Sequence, residues 1–254
     1  MSLLQVRHVS VRFGGLVAVD DVSLSVRSGE VLSIIGPNGA GKTSLFNLIS
    51  RIHPPSTGRL LFDGQDFTSL APHKVAHLGI ARTFQNLELF DRATVLENLL
   101  VGRHRHRRCG FLAEVWFGRA LWQQELQNRL AAEEIVDFLE LHRSREATVG
   151  SLPYGTRKLV ELGRALASQP RLLLLDEPSS GLNVEESRDL AFRIRDIQRV
   201  LGITVVLIEH DMALVARVSD RVLALHQGRV IADGPMEEVQ RHPDVVNAYL
   251  GRGA

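Results

Sequence analysis

The stretch Gly36-Pro37-Asn38-Gly39-Ala40-Gly41-Lys42-Thr43 decides the fold, and it lies between an apolar run, Val31–Ile35, and a helix-forming segment, Ser44–Ile49. Its spacing fits Gly-x-x-x-x-Gly-Lys-[Ser/Thr], in which small residues let consecutive backbone N–H groups surround an anion. Lys42 adds a positive charge for the β- and γ-phosphates, and Thr43 offers a hydroxyl to Mg²⁺. The helix N-terminus adds partial positive charge. The alternative, a glycine-rich turn with an unrelated lysine, is disfavoured by the strand before and the helix after.

The bulk composition narrows the class of protein. A chain of 254 residues with 44% hydrophobic residues is long enough for one large α/β domain or two small ones. No apolar run approaches the roughly 18 residues that span a bilayer, so we expect no membrane helix. The N-terminus lacks a basic-then-apolar leader, so we expect no secretory signal and a cytosolic compartment. The single cysteine, Cys109, excludes an internal disulfide and a cysteine-only zinc site.

The charge balance gives no general reason to expect nucleic-acid binding, because 30 Lys and Arg face 29 Asp and Glu for a net charge of +1. The one local exception is the basic run Arg103–Arg108. Three interpretations of this run stay open: a solvated loop, a patch facing lipid headgroups or a membrane partner, and a nucleic-acid contact.

Two apolar runs end in residues suited to nucleotide chemistry. The run Leu172–Leu175 ends in Asp176 and Glu177, and a buried parallel strand delivers such groups to the sheet edge where ligands bind. Asp176 is suited to hold Mg²⁺ and Glu177 to polarise an attacking water. The strand Ile203–Ile208 leads to His210, whose imidazole is able to contact a terminal phosphate at the same edge. Solvated acids and an incidental histidine are the alternatives.

The remaining elements are predicted from periodicity and breakers. Residues 3–35 predict antiparallel β structure, and Phe13 there either stacks on a nucleotide base or lies in the core. The strand Ile80–Phe84 ends at Gln85, which is able to sense a bound metal or water. From residue 86 to about 168 the pattern is helical, with an amphipathic stretch from about 112 to 141 whose buried face is predicted to include Trp116 and Trp122. The Pro-Tyr-Gly segment at 153–155 precedes a helix predicted at 157–167.

In this order the motifs resemble those of the ATP-binding subunits of ABC transporters, over essentially the whole chain. Residues 36–43 match the Walker A pattern and 172–177 the Walker B pattern. Gln85 matches the Q-loop, residues 152–156 lie where the Leu-Ser-Gly-Gly-Gln signature belongs, residues 180–183 match the D-loop, and His210 matches the switch histidine. The resemblance implies a mixed-sheet P-loop NTPase (RecA-like) α/β core at about 1–85 and 169–254, an antiparallel β subdomain, and a helical insertion subdomain at about 86–168.

The resemblance also implies the site. ATP and Mg²⁺ are the expected ligands, and Phe13 is expected to stack on adenine. Catalysis is assigned to Glu177, His210, Lys42 and Gln85, and the metal to Thr43, Gln85 and Asp176. The nucleotide-binding residues are expected to be Phe13, Gly36, Pro37, Asn38, Gly39, Ala40, Gly41, Lys42, Thr43, Ser44, Leu152, Pro153, Tyr154 and Gly155. Two departures from the signature stand out, since Pro153 replaces its serine and Thr156 its glutamine.

Within the family the chain is similar to the branch serving branched-chain amino acid uptake, with urea and short-amide systems as relatives. Phrases such as Arg82-Thr83-Phe84-Gln85-Asn86 and Ile208-Glu209-His210-Asp211-Met212 carry this likeness. The resemblance implies a dimer that sandwiches ATP, formed with a paralogous ATP-binding subunit or with a second copy. It also implies two transmembrane permease subunits, contacted near 87–90, a separate solute-binding protein, a peripheral position at the cytoplasmic face of the inner membrane, and no nucleic acid.

Two other classes stay open. Soluble members of the superfamily act in DNA repair or on the ribosome, but the chain has no long heptad insertion, no tandem ATPase module and no zinc-binding cysteines. The other alternative is a regulatory module that binds ATP without hydrolysing it, which a turnover assay separates from an ATPase.

Overall fold

The computed structural model describes residues 2–83, 87–106 and 119–250, and the chain divides into two compact units. The first unit comprises residues 1–82 and 171–254, and the second comprises residues 83–170. The strands are β1 (Ser2–Phe13), β2 (Leu16–Arg27), β3 (Val31–Ile35), β4 (Thr57–Phe62), β5 (Gln65–Asp66), β6 (Ile80–Arg82), β7 (Leu172–Asp176), β8 (Thr204–Ile208), β9 (Arg221–His226) and β10 (Arg229–Gly234).

The helices of the described residues are α1 (Lys42–Ile49), α2 (Pro72–Leu78), α3 (Val95–Gly102), α4 (Arg119–Phe138), α5 (Tyr154–Ala167), α6 (Val184–Arg199), α7 (Met212–Val218), α8 (Met236–Arg241) and α9 (Pro243–Leu250). Short 3₁₀ turns occupy 103–106, 142–144 and 149–151. Several helices begin at capping residues. Thr94 and Glu97 form a capping box on α3, and Asn183 and Glu186 form one on α6.

The larger sheet of the first unit has the strand order β10-β9-β3-β8-β7-β6. All neighbouring pairs are parallel except β10 with β9. The residues of β3, β7 and β8 are buried throughout, as expected of strands covered on both faces. The sequence placed residues 31–35 in antiparallel structure with the preceding strands, and that prediction was wrong. An apolar run has no polar face to leave in solvent, so it pairs with the other buried runs.

The smaller sheet of the first unit has the order β2-β1-β4-β5 and is antiparallel. Buried and exposed residues alternate along much of β1 and β2, so one face of this sheet contacts the core. Apolar residues of that face pack in one cluster with α1, whose Leu45, Phe46, Leu48 and Ile49 are fully buried. The helix that follows the glycine-rich loop is therefore fixed by its packing on both sheets.

Close packing of α3 and α5 in the second unit depends on small residues. A Cβ on Gly102 would lie 2.1 Å from the carbonyl oxygen of Arg164, and one on Gly163 would lie 3.3 Å from a Leu99 methyl. The prediction for Trp122 was wrong, because this side chain is 69% exposed. Of the α4 side chains that the structure describes, from 122 onward, the buried ones are Asn128, Ala132 and Val136, which recur every four residues and lie on another face of the helix.

Arg103, the first residue of the basic run, is not solvated. It is buried, and its guanidinium donates to the Asn128 side chain at 3.2 Å and to the Ala167 carbonyl at 2.9 Å. Arg103 therefore joins α4 and α5 from within the second unit. The predictions for Gln85, Cys109, Trp116 and the end of the basic run fall outside the described residues.

Candidate functional site

Three neighbouring strands deliver the predicted site residues to one edge of the larger sheet. The loop 36–41 follows β3, Glu209 and His210 follow β8, and Asp176 and Glu177 stand at the end of β7. The strands are parallel and lie side by side in the order β3-β8-β7. Their carboxyl ends therefore meet at the same edge, which is where open α/β sheets bind ligands.

The glycines of the loop adopt backbone conformations that other residues rarely take. Gly36, Gly39 and Gly41 have φ angles of 149°, 82° and 99°. A Cβ on Gly36 would lie 2.1 Å from the Leu225 carbonyl oxygen, and one on Gly41 would lie 2.3 Å from that of Ala18. Two of these positions therefore require glycine for space as well as for backbone conformation. Such a loop, leading into the N-terminus of α1, suits an anion.

Lys42 begins α1 and turns its side chain back over the loop. It is buried, and its ammonium donates to the carbonyl oxygens of Gly36 at 2.8 Å and Pro37 at 3.1 Å. Thr43 is exposed beside it. The positive charge and the hydroxyl thus stand at the same helix end, as the binding of a triphosphate with its metal requires.

The oxygen donors of this edge fit Mg²⁺ when it arrives with a polyphosphate. Among the described residues no cluster of three or more His, Cys, Asp or Glu side chains is able to hold a metal by itself. The candidate ligands Thr43 and Asp176 offer a hydroxyl and a carboxylate, which are the hard oxygens that Mg²⁺ prefers. A site of one or two protein oxygens completed by phosphates is typical for this ion.

Glu177 and His210 lie in direct contact. The Nε2 atom of His210 is 2.8 Å from Oε1 of Glu177. The Glu177 backbone has a φ of 49°, which is uncommon for a residue with a side chain, and its N–H donates to the Ile208 carbonyl at 3.0 Å. The glutamate is thus held toward the histidine by the backbone of the neighbouring strand end. A carboxylate and an imidazole so placed are able to accept and hold a proton.

Glu209 is a residue of this edge whose role the sequence did not reveal. Its side chain is buried, and Oε1 accepts from the Ser179 N–H at 2.8 Å. Oε2 accepts from the N–H groups of His210 at 2.9 Å and Asp211 at 3.3 Å. One carboxylate therefore ties the loop after β7 to the loop after β8. A charged residue next to a strand end was the only sequence signal, and it does not separate Glu209 from a solvated acid.

Arg82 is a second residue whose role the sequence did not reveal. It ends β6, and its guanidinium donates to Oδ2 of Asp176 at 2.7 Å. The pair is separated by 94 positions in the chain. Only the pairing of β6 with β7 brings the two residues together.

Phe13 is exposed and not part of the core. Its ring is 44% exposed at the end of β1 and meets the His53 ring edge-on, with centroids 5.2 Å apart. Stacking on a base requires such an accessible face, so exposure favours the stacking interpretation over the core alternative.

The C-terminal helix α9 contacts the loop in a way the sequence did not predict. The Tyr249 hydroxyl lies against the backbone of Gly36, and burial raises the pKa of that tyrosine more than this backbone contact lowers it. Beside this contact lies a cavity of about 380 Å³, lined by Pro37, Asn38, Gly39, Ala40, His226, Gln227, Asn247 and Ala248. Residues near the end of the chain therefore help to build the surroundings of the loop.

The predicted signature residues 152–155 belong to the second unit. Leu152 and Gly155 are partly buried, while Pro153 and Tyr154 are exposed. The helix begins at Tyr154 and not at 157 as predicted, and Pro153 is its N-cap without a side-chain hydrogen bond. The ψ angle of Pro153 is 152°, outside the helical region, so Tyr154 is the first helical residue. The segment presents a helix N-terminus next to an exposed aromatic ring.

The segment predicted to face a permease, 87–90, is held by two polar side chains of the second unit. The Asn98 amide, fully buried, accepts from the Phe90 N–H at 2.9 Å and donates to the Phe90 carbonyl at 3.1 Å. Arg164 donates to the Glu88 carbonyl. Phe90 itself is 57% exposed. An apolar ring is thus presented to solvent on a fixed backbone.

Comparison with known proteins identifies two matching families. The family model described as "ABC transporter" matches residues 19–180. The model described as "Branched-chain amino acid ATP-binding cassette transporter" matches residues 229–254. Of the described helices, none has the length and apolar character needed to cross a lipid bilayer.

Several curated proteins are similar along almost their whole length. The high-affinity branched-chain amino acid transport ATP-binding protein BraF of Pseudomonas aeruginosa is 41% identical over 249 residues, covering 98% of each chain. The corresponding LivG proteins of Salmonella typhimurium and Escherichia coli are 41% and 40% identical over 254 residues, again covering 98% of each chain.

Solved structures give the same likeness. A nucleotide-free ATP-binding cassette from an ABC transporter superposes with a TM-score of 0.85 at 33% identity, covering 99% of this chain and 100% of the other. The ADP conformation of an ATP-binding cassette of an ABC transporter superposes with a TM-score of 0.85 at 32% identity and 99% coverage of both chains.

Proposed function

The chain belongs to the ABC transporter family, among the branched-chain amino acid transport ATP-binding proteins, and from this membership we propose that it hydrolyses ATP to drive uptake of branched-chain amino acids. The fold expected from the sequence, a P-loop α/β cassette, is confirmed by its structural relatives. The solute, the residue roles and the partners below are part of the proposal.

One observation carries the catalytic part of the proposal. The phosphate loop, the Asp176–Glu177 pair and His210 follow three adjacent parallel strands and meet at one sheet edge. The 2.8 Å contact between Glu177 and His210 supports a shared role at one reacting phosphate. Groups that act on the same terminal phosphate must converge on one point, and this contact places both side chains within reach of such a point.

We assign the nucleotide to the first unit. Backbone N–H groups within residues 36–44 surround its phosphates. The Lys42 ammonium gives up its hydrogen bonds to the loop carbonyl oxygens and binds phosphate oxygens in their place. Phe13 stacks on the adenine. Thr43, Asp176 and Gln85 hold Mg²⁺, which when bound neutralises the charge that develops on the phosphates.

The chemical step is assigned to the residues after β7 and β8. Glu177 accepts a hydrogen bond from the attacking water and so orients this water in line with the γ-phosphate. His210 stabilises the γ-phosphate as charge shifts, and its Nε2 atom, which contacts Glu177 in this structure, exchanges that contact for a phosphate oxygen. Gln85 completes the site according to the family pattern.

The second unit provides the surface for a partner. In the proposed dimer, residues 152–155 of one chain close the nucleotide site of another, so hydrolysis depends on dimerisation. Pro153 brings no hydroxyl to the γ-phosphate, so the two sites of a heterodimer with a paralogue differ in rate. The segment at 87–90 docks on one of two permease subunits at the cytoplasmic face of the membrane, and a separate binding protein selects the solute.

The ATPase assignment is tested on the assembled complex, isolated from membranes through a tag on this chain. The Glu177→Gln variant is expected to lose about 100-fold or more in ATP turnover while retaining nucleotide binding, because it removes a general base and keeps the volume. Glu185→Gln, which changes an exposed glutamate at the start of α6, is the matched control. Turnover of Glu177→Gln at the wild-type rate would contradict the assignment.

The solute is tested by uptake in cells that lack this subunit. Restored uptake of radiolabelled leucine, isoleucine and valine by the wild-type gene, and not by Glu177→Gln, is the expected result. Restoration of urea or short-amide uptake without leucine uptake would assign the chain to that related branch. The same cells also allow a test of the partners. Purification of the tagged chain from their membranes should yield two permease subunits and a paralogous ATPase with it.

A further inference from the structure

Arg82 forms a buried ion pair with the proposed metal ligand Asp176. The side chains of the pair are 7% and 4% exposed, and Nη2 of Arg82 lies 2.7 Å from Oδ2 of Asp176. Arginine stays protonated in proteins, so the charge is permanent. Two charges shielded from water hold each other far more firmly than a surface pair does.

The other side of the same guanidinium binds the helix that follows the phosphate loop. Nη1 of Arg82 donates to the Asn47 side chain at 2.7 Å and to the Ser50 hydroxyl at 2.9 Å. The guanidinium carbon also lies 5.5 Å from the centre of the Phe46 ring. Asn47 and Phe46 belong to α1, and Ser50 is its C-cap. One rigid planar group therefore joins α1 to the end of β7.

We propose that Arg82 is a positioning residue that sets the distance between the two Mg²⁺ ligands, Thr43 at the start of α1 and Asp176 at the end of β7. The inference rests on the proposed function, because it uses the assignment of those ligands. Magnesium demands near-ideal octahedral geometry, so it is sensitive to the separation of its oxygen ligands. Groups that orient a metal ligand from behind are as much a part of such a site as the ligand itself.

A role through charge and a role in positioning predict opposite effects of removing Arg82 on Mg²⁺ binding. A positive charge beside a carboxylate opposes the binding of a cation to that carboxylate. If Arg82 acted only through its charge, its removal would strengthen Mg²⁺ binding. If it positions Asp176, its removal weakens Mg²⁺ binding despite the gain in negative charge. The sign of the change therefore distinguishes the two roles.

Arg171 offers a matched control in the same unit. Its Nη2 lies 2.9 Å from Oδ2 of Asp63, and its guanidinium carbon lies 5.3 Å from the centre of the Phe62 ring. The side chains of that pair are 53% and 60% exposed. Arg171 thus makes the same kinds of contact as Arg82, at the surface and with a carboxylate that has no proposed role in the site.

The experiment measures binding of a fluorescent ATP analogue to the purified full-length chain, with excess Mg²⁺ and with EDTA. The dissociation constant in EDTA divided by that in Mg²⁺ reports how much the metal strengthens nucleotide binding. This ratio is measured without ATP turnover. For Arg82→Met we expect this ratio to fall by about tenfold, as for other residues behind a metal ligand, with the affinity in EDTA nearly unchanged. Arg171→Met should keep the wild-type ratio. Arg82→Lys should recover only part of it, because an ammonium keeps a contact that orients Asp176 but lacks the planar fork that also binds Asn47 and Ser50.

Two further variants keep the test decisive. Asn47→Ala removes one contact of Arg82 to α1 and leaves the ion pair, so it should lower the ratio in the same direction by a smaller factor, and it decides the matter if Arg82→Met does not fold. Asp176→Asn tests the ligand assignment itself. If Asp176→Asn abolishes the metal effect while the Arg82 and Asn47 variants keep or increase it, the positioning role is overturned. If Asp176→Asn leaves the metal effect intact, the site assignment fails instead.

Discussion

The imidazole of His210 and the carboxylate of Glu177 meet at 2.8 Å across the ends of two adjacent parallel strands. The two residues stand 33 positions apart in the chain, and their contact is set by the register of β7 with β8. Each side chain is therefore oriented by the other, and replacement of either one should change the position of the other.

Replacement of His210 should slow hydrolysis without preventing nucleotide binding. For His210→Ala we expect a loss of about 100-fold in ATP turnover by the assembled complex, because a donor aimed at the developing charge is removed. His142→Ala is the control, since His142 pairs with Asp137 at 3.1 Å on an exposed surface. Steady-state turnover and fluorescent-nucleotide affinity are measured together. Equal losses in both would mean that His210 acts in binding and not in the chemical step.

Replacement of Glu209 should disturb the positions of Glu177 and His210, because its carboxylate binds the backbone of the loops that follow β7 and β8. Glu209→Gln keeps one acceptor oxygen but turns an NH₂ group toward backbone donors of Ser179 or His210. We expect a loss of about 2 kcal/mol in the free energy of unfolding, because a buried donor loses its partner, together with lower turnover. Urea unfolding and ATPase assays check this, with Glu185→Gln as the exposed control. Wild-type stability in Glu209→Gln would show that the two loops do not depend on this carboxylate.

Alanine at Gly36 should damage the phosphate loop more than alanine at Gly39. Both glycines have a positive φ, so both substitutions strain the backbone. Only at Gly36 would the new Cβ meet a backbone oxygen, at 2.1 Å, whereas at Gly39 it enters open space. We expect Gly36→Ala to weaken ATP binding by at least about tenfold more than Gly39→Ala, since 1.4 kcal/mol of added strain corresponds to a factor of ten. Calorimetric titration of both variants measures the difference, and similar affinities would contradict the steric argument.

Acid should destabilise the fold through Glu30. Burial by itself raises the pKa of this carboxyl, but hydrogen bonds from Arg221 and Arg27 outweigh it and hold the pKa below the ordinary value of 4.5. A carboxyl with a lowered pKa stabilises the fold above its unfolded-state pKa, and this stabilisation is lost as pH falls through the folded-state pKa. The free energy of unfolding should therefore begin to drop as the pH falls below about 4.5.

Variants assign that acid effect to the buried pair. Glu30→Gln should cost about 2 kcal/mol at pH 7, because Arg221 loses a charged hydrogen-bond partner while keeping Asp233, and should flatten the decline in acid. Glu237→Gln, which changes an exposed glutamate of α8, should stay within about 0.5 kcal/mol of the wild type. Urea unfolding from pH 7 to pH 3 provides the measurement. An unchanged acid slope in Glu30→Gln would move the effect to other carboxyls, Asp220 first, whose pKa is also lowered despite burial, by hydrogen bonds from Val31, Arg195 and Gln198.

Local patterns determined most elements. The phosphate-binding loop, the helix after it and the run before Asp176 follow from spacing, hydrophobicity and breakers that act within a few residues. These patterns were enough to indicate a P-loop cassette and its family, and the comparisons confirm both. They misplaced what depends on partners: the strand at 31–35 joined the parallel sheet, and Trp122 lay outside the buried face of its helix.

Only the tertiary structure decided which distant residues share a contact. Asp176 and Glu177 were predictable as acids at a strand end, because strand and acids are neighbours in the chain. The carboxylate of Glu209 beneath two loops, the Arg82 bridge from Asp176 to α1 and the Tyr249 contact with Gly36 were not. These contacts depend on strand order and register, which arise from the packing of the whole core. The residues next to each side chain in the sequence do not specify them.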